Sequence, residues 1–287
     1  MRMSWQAAEP GEADEIAAFL EVHVDWAMFP LSNLRAEQRG KAGRYRTQFL
    51  IRRDGATITG ALGLSATGML FPVMPDVSAA DLAALRALLA GEAISGLIGR
   101  KDWAHPVAKG FGLDHAVIQR FADEPGFGLD LSHLRIPGGA GLTLVPLRHE
   151  DRALLTGWRG AYHVEILGLD PAKADETAAA DIDGYLARGS HRLLLKDGAP
   201  VAMTGVNAAL DRIVQIGGVY TPPALRGRGY ARAAVALHLD ELRGRGVTRA
   251  VLFAASDRAA RAYRAIGFER TGEMTMLLLS SPARIAA

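Results

Sequence analysis

The stretch Ile213-Val214-Gln215-Ile216-Gly217-Gly218-Val219-Tyr220-Thr221-Pro222-Pro223-Ala224-Leu225-Arg226-Gly227-Arg228-Gly229-Tyr230-Ala231 decides how this chain is read. Its β-branched opening predicts a strand, which Pro222 and Pro223 end because neither can donate to a sheet ladder. From Ala231, the residues Ala234, Val235, His238, Leu239 and Leu242 fall on one face of a helix. A strand feeding a Gly-rich turn that opens a helix leaves the first helix amides unpaired. Those amides and the positive end of the helix dipole favour an anion. Gly227 and Gly229 let a phosphate approach the backbone, and Arg226 and Arg228 add charge. The turn reads as a seat for a pyrophosphate.

Two familiar Gly-rich motifs do not fit. A nucleotide P-loop needs Lys followed by Ser or Thr, which is missing here. A dinucleotide fingerprint needs three glycines and an acid ending the next strand. That strand, Ala250-Val251-Leu252-Phe253, runs instead into Ala254 and Ala255.

Here the sequence resembles the GNAT superfamily of N-acetyltransferases. The family pattern of Gln or Arg, two residues, Gly, one residue, then Gly or Ala is met by Arg226, Gly229 and Ala231. The run Val219-Tyr220-Thr221 resembles the exit of the family's central strand. Ser256 to Phe268, with Tyr263 and Gly267-Phe268, is similar to a second family element, Ser256 standing where Asn is commoner. The match is close over 213–268 and holds only in outline for the rest of the second half.

The resemblance implies acetyl-CoA as co-substrate, its pyrophosphate on residues 226–231 and its thioester beside Val219 and Tyr220. The cofactor-binding set is then Val219, Tyr220, Thr221, Arg226, Gly227, Arg228, Gly229, Tyr230, Ala231 and Ser256. Acetyl transfer needs a donor to the developing oxyanion, an acid for the leaving thiolate and removal of a proton from the amine. A backbone amide near Val219 serves the first. Tyr263 corresponds to the family's frequent acid, although its spacing with Ala259, Ala262 and Ile266 equally describes a buried helix face. The strand 213–220 carries no carboxylate, only Gln215. The nearest candidate base is Glu165, which shares a helix face with Trp158 and Tyr162; a solvated helix Glu is the plainer reading of it. The acceptor is expected to be a primary amine on a small molecule or peptide.

A helix over 13–27, a strand ending at Arg53, the turn Asp54-Gly55 and further strand residues to Pro72 make up the first half. Helices over 150–165 and 171–188, a strand at 192–196 and the turn Asp197-Gly198 repeat this order in the second. Each Asp-Gly between apolar runs signals a hairpin. The expected fold is therefore α/β (α+β): two tandem GNAT-like domains, each a mixed, mostly antiparallel sheet flanked by helices. Pro137-Gly138-Gly139 suggests the boundary, giving domains at 1–137 and 142–287. In the first half the equivalent turn is residues 73–81. There Ser78 is a good N-cap with Asp81 three residues on, and the acids repel a pyrophosphate. That half is expected to be a degenerate copy without CoA that helps shape the acceptor site.

Composition narrows the remaining classes. Among 287 residues there is no Cys, which excludes disulfides, a thiolate nucleophile and Cys-ligated metals. No metal is expected, since His163 has no spaced partner and His238 lies on an apolar helix face. No apolar run is long enough for a membrane span and none opens the chain as a secretory signal, so the expected location is cytoplasmic. The net charge is +2, but residues 226–270 carry ten Arg against four acids. The phosphates of CoA account for that excess; nucleic acid is the less economical partner because no aromatic residues interleave the arginines. A non-catalytic acyl-CoA-binding or sensing module is the alternative function. The sequence leaves monomer and homodimer open.

Overall fold

The computed structural model describes residues 4–41 and 43–286. Its first elements are β1 (Ser4–Ala7), α1 (Ala13–Val22), α2 (Val24–Gln38), β2 (Thr47–Asp54), β3 (Thr57–Ser65), β4 (Met69–Val73), α3 (Ala79–Leu88), β5 (Ala93–Arg100), α4 (Lys101–Gly110) and β6 (Ile118–Asp130). Then come β7 (Leu142–Pro146), α5 (Arg152–Glu165), α6 (Pro171–Arg188), β8 (His191–Lys196), β9 (Ala199–Ala209), β10 (Ile213–Tyr220), α7 (Tyr230–Arg243), β11 (Arg249–Phe253), α8 (Asp257–Arg264) and β12 (Glu269–Arg284). Two compact units result. The first comprises residues up to Glu124 and those from Gly272 onward; the second comprises Pro125–Thr271.

The units share one strand plan. In the first the order is β1-β2-β3-β4-β5-β12, paired antiparallel three times, then parallel, then antiparallel. In the second it is β7-β8-β9-β10-β11-β6, with the same succession of pairings. Helices also correspond: a helix pair precedes the first Asp-Gly hairpin, one helix links the parallel strands and another succeeds them. Both hairpins form where the sequence marks them. Asp197 and Gly198 take φ of +49° and +83°, the doubly positive turn that matches strand twist.

Each half of the chain supplies six strands, but the sixth of each half belongs to the other half's unit. The division between 137 and 142 expected from the glycines thus lies inside the second unit. Residues after Pro125 are held there by pairing of Gly126–Asp130 with β11 and by bonds from Leu131 N to Thr248 O and Arg135 N to Ile266 O. Glycine content marks where regular structure stops, not where long-range pairing changes. The single helix expected over 13–27 is two, broken at His23 (φ −111°, ψ 24°).

Each unit buries its own core. Leu62, Leu70, Met74, Leu85, Leu97 and Leu277 centre the first; Phe127, Ile216, Val235, Leu239, Leu252 and Phe268 form one cluster of the second. Fully burying such a side chain contributes ~1.5–3 kcal/mol. Among the described residues no helix is long and apolar enough to cross a membrane, and no group of three or more His, Cys, Asp or Glu could hold a metal.

The parallel strand pair of each unit zips over a short register, and the two pairs differ in what lies beyond it. β10 and β11 are in register from Ile213↔Arg249 to Gln215↔Val251 only, although β10 continues to Tyr220 and β11 to Phe253. The strands part there and leave a gap. In the first unit β4 and β5 pair over two residues, and Pro72 packs so closely on Gly99 that a Cβ there would stand 2.8 Å from it.

Candidate active site

The gap between β10 and β11 opens into a cleft of about 570 Å³. It is lined by Val219, Tyr220, Thr221, Arg226, Gly227, Arg228, Gly229, Tyr230, Ala231, Ser256, Tyr263 and Glu165, the twelve residues of the expected cofactor-binding and catalytic sets.

At one end lies the turn before α7. Main-chain bonds run from Leu225 N to Pro222 O, from Arg226 N to Pro223 O and from Ala233 N to Gly229 O. Between them, among the described residues, the N–H groups of 227–232 meet no protein acceptor. Gly229 caps the helix at φ +81° with no side-chain bond, a conformation that costs Gly nothing and a β-branched residue much. Donors left free at a helix N-terminus favour an anion. Two arginines outside the expected set stand over it: a Cβ at Gly227 would lie 3.6 Å from Arg258, and one at Gly229 3.4 Å from Arg232. Both line the cleft. The count of arginines over 226–270 holds this signal, but not which of them face the turn.

The Arg226 side chain is committed elsewhere. Its Nε donates to Thr221 O at 2.9 Å, its guanidinium lies 5.6 Å from the Tyr220 ring centroid, and its two terminal nitrogens donate to the two oxygens of Glu165 at 2.6 and 2.7 Å. That hydrogen bonding from Arg226 holds the Glu165 carboxyl below its usual range. A carboxylate so engaged is a poor proton acceptor, and Glu165 bridges from α5 to the turn before α7. Burial raises the Tyr220 phenol.

Midway along the cleft, β10 bulges. Its register with β9 passes from Gly217↔Gly205 to Tyr220↔Met203, so Gly218 and Val219 share one opposite residue. Gly218 takes φ +62°, and a Cβ there would stand 2.8 Å from His191. The bulge frees the Val219 segment from regular pairing where an oxyanion donor is expected. On the facing wall Tyr263, on α8, is 6% exposed and packs edge-on to Phe268 at 6.0 Å. Ser256 is the α8 N-cap, its Oγ accepting from Ala259 N at 3.2 Å. His238 is buried, and desolvation lowers it to about 4, in keeping with a core imidazole.

Tyr162 and Ile166, from α5 and the residue after it, line the same cleft as Tyr220. The spacing of Trp158, Tyr162 and Glu165 on one helix face points here. Behind Tyr162 the Arg159 guanidinium sits 4.7 Å from its ring centroid and is paired to Asp181 at 2.7 Å. His163 Nε2 is 3.0 Å from the same carboxylate. Burial raises Asp181, but the bonds from His163 and the charge of Arg159 outweigh it and hold its pKa at about 2, against 3.8 unperturbed. A depressed acid stabilises the fold above its unfolded pKa and loses that contribution as pH falls through the folded one. The difference in melting temperature between the protein and Asp181→Asn should therefore be full near neutrality and shrink between about pH 4 and pH 2. A gap that stays constant over that range would contradict this assignment.

The corresponding turn of the first unit is closed. Ser78 Oγ accepts from Asp81 N at 3.2 Å, and Asp81 Oδ2 accepts from Ser78 N at 2.8 Å. Asp81 also accepts from Arg52 at 3.1 Å and from Trp5 Nε1 at 2.7 Å, while Arg52 donates to Pro75 O. An internal carboxylate already caps that helix, and Arg52 fills the space beside it.

Residues 158–268 match the acetyltransferase (GNAT) family model. A comparison with curated proteins found no match. Among solved structures, a GCN5-related N-acetyltransferase from Sphaerobacter thermophilus superposes with a TM-score of 0.58 at 16% identity, over 99% of this chain and 96% of that one. A GCN5-related N-acetyltransferase from Kribbella flavida gives 0.54 at 19% identity, over 88% and 96%. A tandem GNAT protein from the clavulanic acid biosynthesis pathway gives 0.54 at 14% identity, over 100% and 99%. At these identities the structures speak for the fold alone.

Proposed function

We propose, for a chain whose second unit is an acyltransferase domain of the GNAT family, that it transfers an acetyl group from acetyl-CoA to a primary amine. The observation that carries this reading is the row of N–H groups at 227–232 without acceptors, opening into a cleft that ends beside Tyr263. These residues fit the diphosphate: the amides of the turn hold it, and Arg232 and Arg258 supply counter-charge. When bound, acetyl-CoA supplies the activated acyl group.

This chain's residues then do three things. The bulge at Gly218 and Val219 offers a main-chain N–H to the carbonyl oxygen as negative charge develops on it. Tyr263 gives its phenolic proton to the departing sulfur; a phenol of reference pKa ~10 suits an alkyl thiolate. Arg226, clamped by Glu165 and Thr221, fixes the mouth between acceptor and phosphate ends. With Glu165 so engaged and no carboxylate on β10, the amine's proton leaves to water.

The first unit, with its turn capped by Asp81, takes no cofactor in this reading. Titration calorimetry should return one acetyl-CoA per chain, and thiol release should depend on added amine. Two equivalents would reject the closed first turn. One equivalent without thiol release, over a broad amine panel, would favour the acyl-CoA-binding module instead.

A further inference from the structure

The acceptor end of the cleft constrains its substrate, an inference that rests on the acetyltransferase reading above. With phosphates at 227–232 and the reacting carbon between Val219 and Tyr263, the acceptor must enter along the remaining wall, formed by α5 and the end of β10. That wall is aromatic and aliphatic. Tyr162 and Ile166 line the cleft together with Tyr220, and Trp158 lies 6.3 Å from Tyr220 between ring centroids. Arg159 pins the Tyr162 ring from behind.

Charge is the second half of the observation. Among the described residues, Glu165 is the one carboxylate lining the cleft, and both its oxygens are taken by Arg226. A second ammonium group on an acceptor would be desolvated here without a counter-ion. An uncharged apolar stem loses nothing on entry and gains from burial against the rings.

We propose that the acceptor is a monoamine on an apolar stem of aromatic size, and that the Glu165–Arg226 pair excludes polyamines and aminoglycosides by withholding that carboxylate. The amine enters the reaction as the free base. Its nitrogen forms the new C–N bond as the C–S bond breaks, the sulfur receives a proton from Tyr263, the nitrogen gives one to water, and the Tyr263 phenolate regains a proton from solvent.

The test compares phenethylamine, butylamine, putrescine, spermidine and kanamycin as acceptors, with thiol release as the readout and acetyl-CoA binding measured by calorimetry in parallel. Phenethylamine is expected to exceed putrescine and kanamycin by at least tenfold in kcat/KM. Arg226→Gln, which releases the Glu165 carboxylate, should move the putrescine to phenethylamine ratio upward by about tenfold whatever its effect on overall rate. A polyamine or aminoglycoside as the best acceptor would overturn the proposal. So would an unchanged ratio in Arg226→Gln, or no turnover with phenethylamine while acetyl-CoA binds. Absence of acetyl-CoA binding would instead remove the reading beneath it.

Discussion

Replacing Gly229 with Ser and Arg232 with Asp together is expected to lower acetyl-CoA affinity at least 100-fold, equivalent to ~2.8 kcal/mol. The pair writes the first unit's cap into the second. Ser78 is the N-cap of α3 and Asp81 its third residue; Gly229 and Arg232 hold the same positions on α7. Reciprocal bonds between such a Ser and Asp would use two of the free amides, place a carboxylate where the diphosphate is seated and remove the Arg232 cation. Each charge-assisted hydrogen bond lost is worth ~1.5–3 kcal/mol, so the magnitude needs only two. Ser78 caps from an extended backbone (φ −102°) whereas Gly229 sits at φ +81°, so the new cap requires the turn to swing to the extended conformation, and that strain offsets the ~1 kcal/mol of a good N-cap. Calorimetry gives the affinity and thermal unfolding the stability. Retained tight binding with an intact melting transition would show that these amides are not the seat.

Tyr263→Phe separates chemistry from binding. The ring stays, so its edge contact with Phe268 and its place in the helix face with Ala260 and Ile266 stay. Only the proton donor goes. Loss of a positioned acid costs ~10²–10⁴ in rate, and kcat is expected to fall about 100-fold while the dissociation constant for acetyl-CoA moves less than about twofold. Equal losses in both would assign Tyr263 to packing against the cofactor.

The part of the site legible in sequence is the part written locally. A strand, a Gly-rich turn and a helix lie within residues 213–243, and the face shared by Trp158, Tyr162 and Glu165 comes from helical spacing. The Ser78 cap with Asp81 is likewise a matter of three residues. What sequence does not supply is partners brought together from afar. The motif presents Arg226 as a phosphate ligand, yet its guanidinium reaches Glu165, 61 positions away. Arg232 and Arg258 are two among ten arginines until the backbone places them over the glycines. Arg52, whose bonds help close the first turn, sits 29 residues from Asp81. The domain division expected from the sequence fails for the same reason: Gly138 and Gly139 announce irregular backbone, whereas pairing with β11 decides membership.

The passage of β6 and β12 into opposite units has a consequence for biosynthesis. During translation the first 124 residues can form five strands of their sheet, but the sixth, which pairs with β5 through Met274–Arg284, is made only after the whole of the second unit, Pro125–Thr271. Until then, Ala93–Arg100 presents an uncovered edge, a template for wrong partners. The first unit must therefore wait, incomplete and in need of protection, for a strand that follows the second. A gene split at the glycines would yield two fragments, each lacking a strand that only the other encodes.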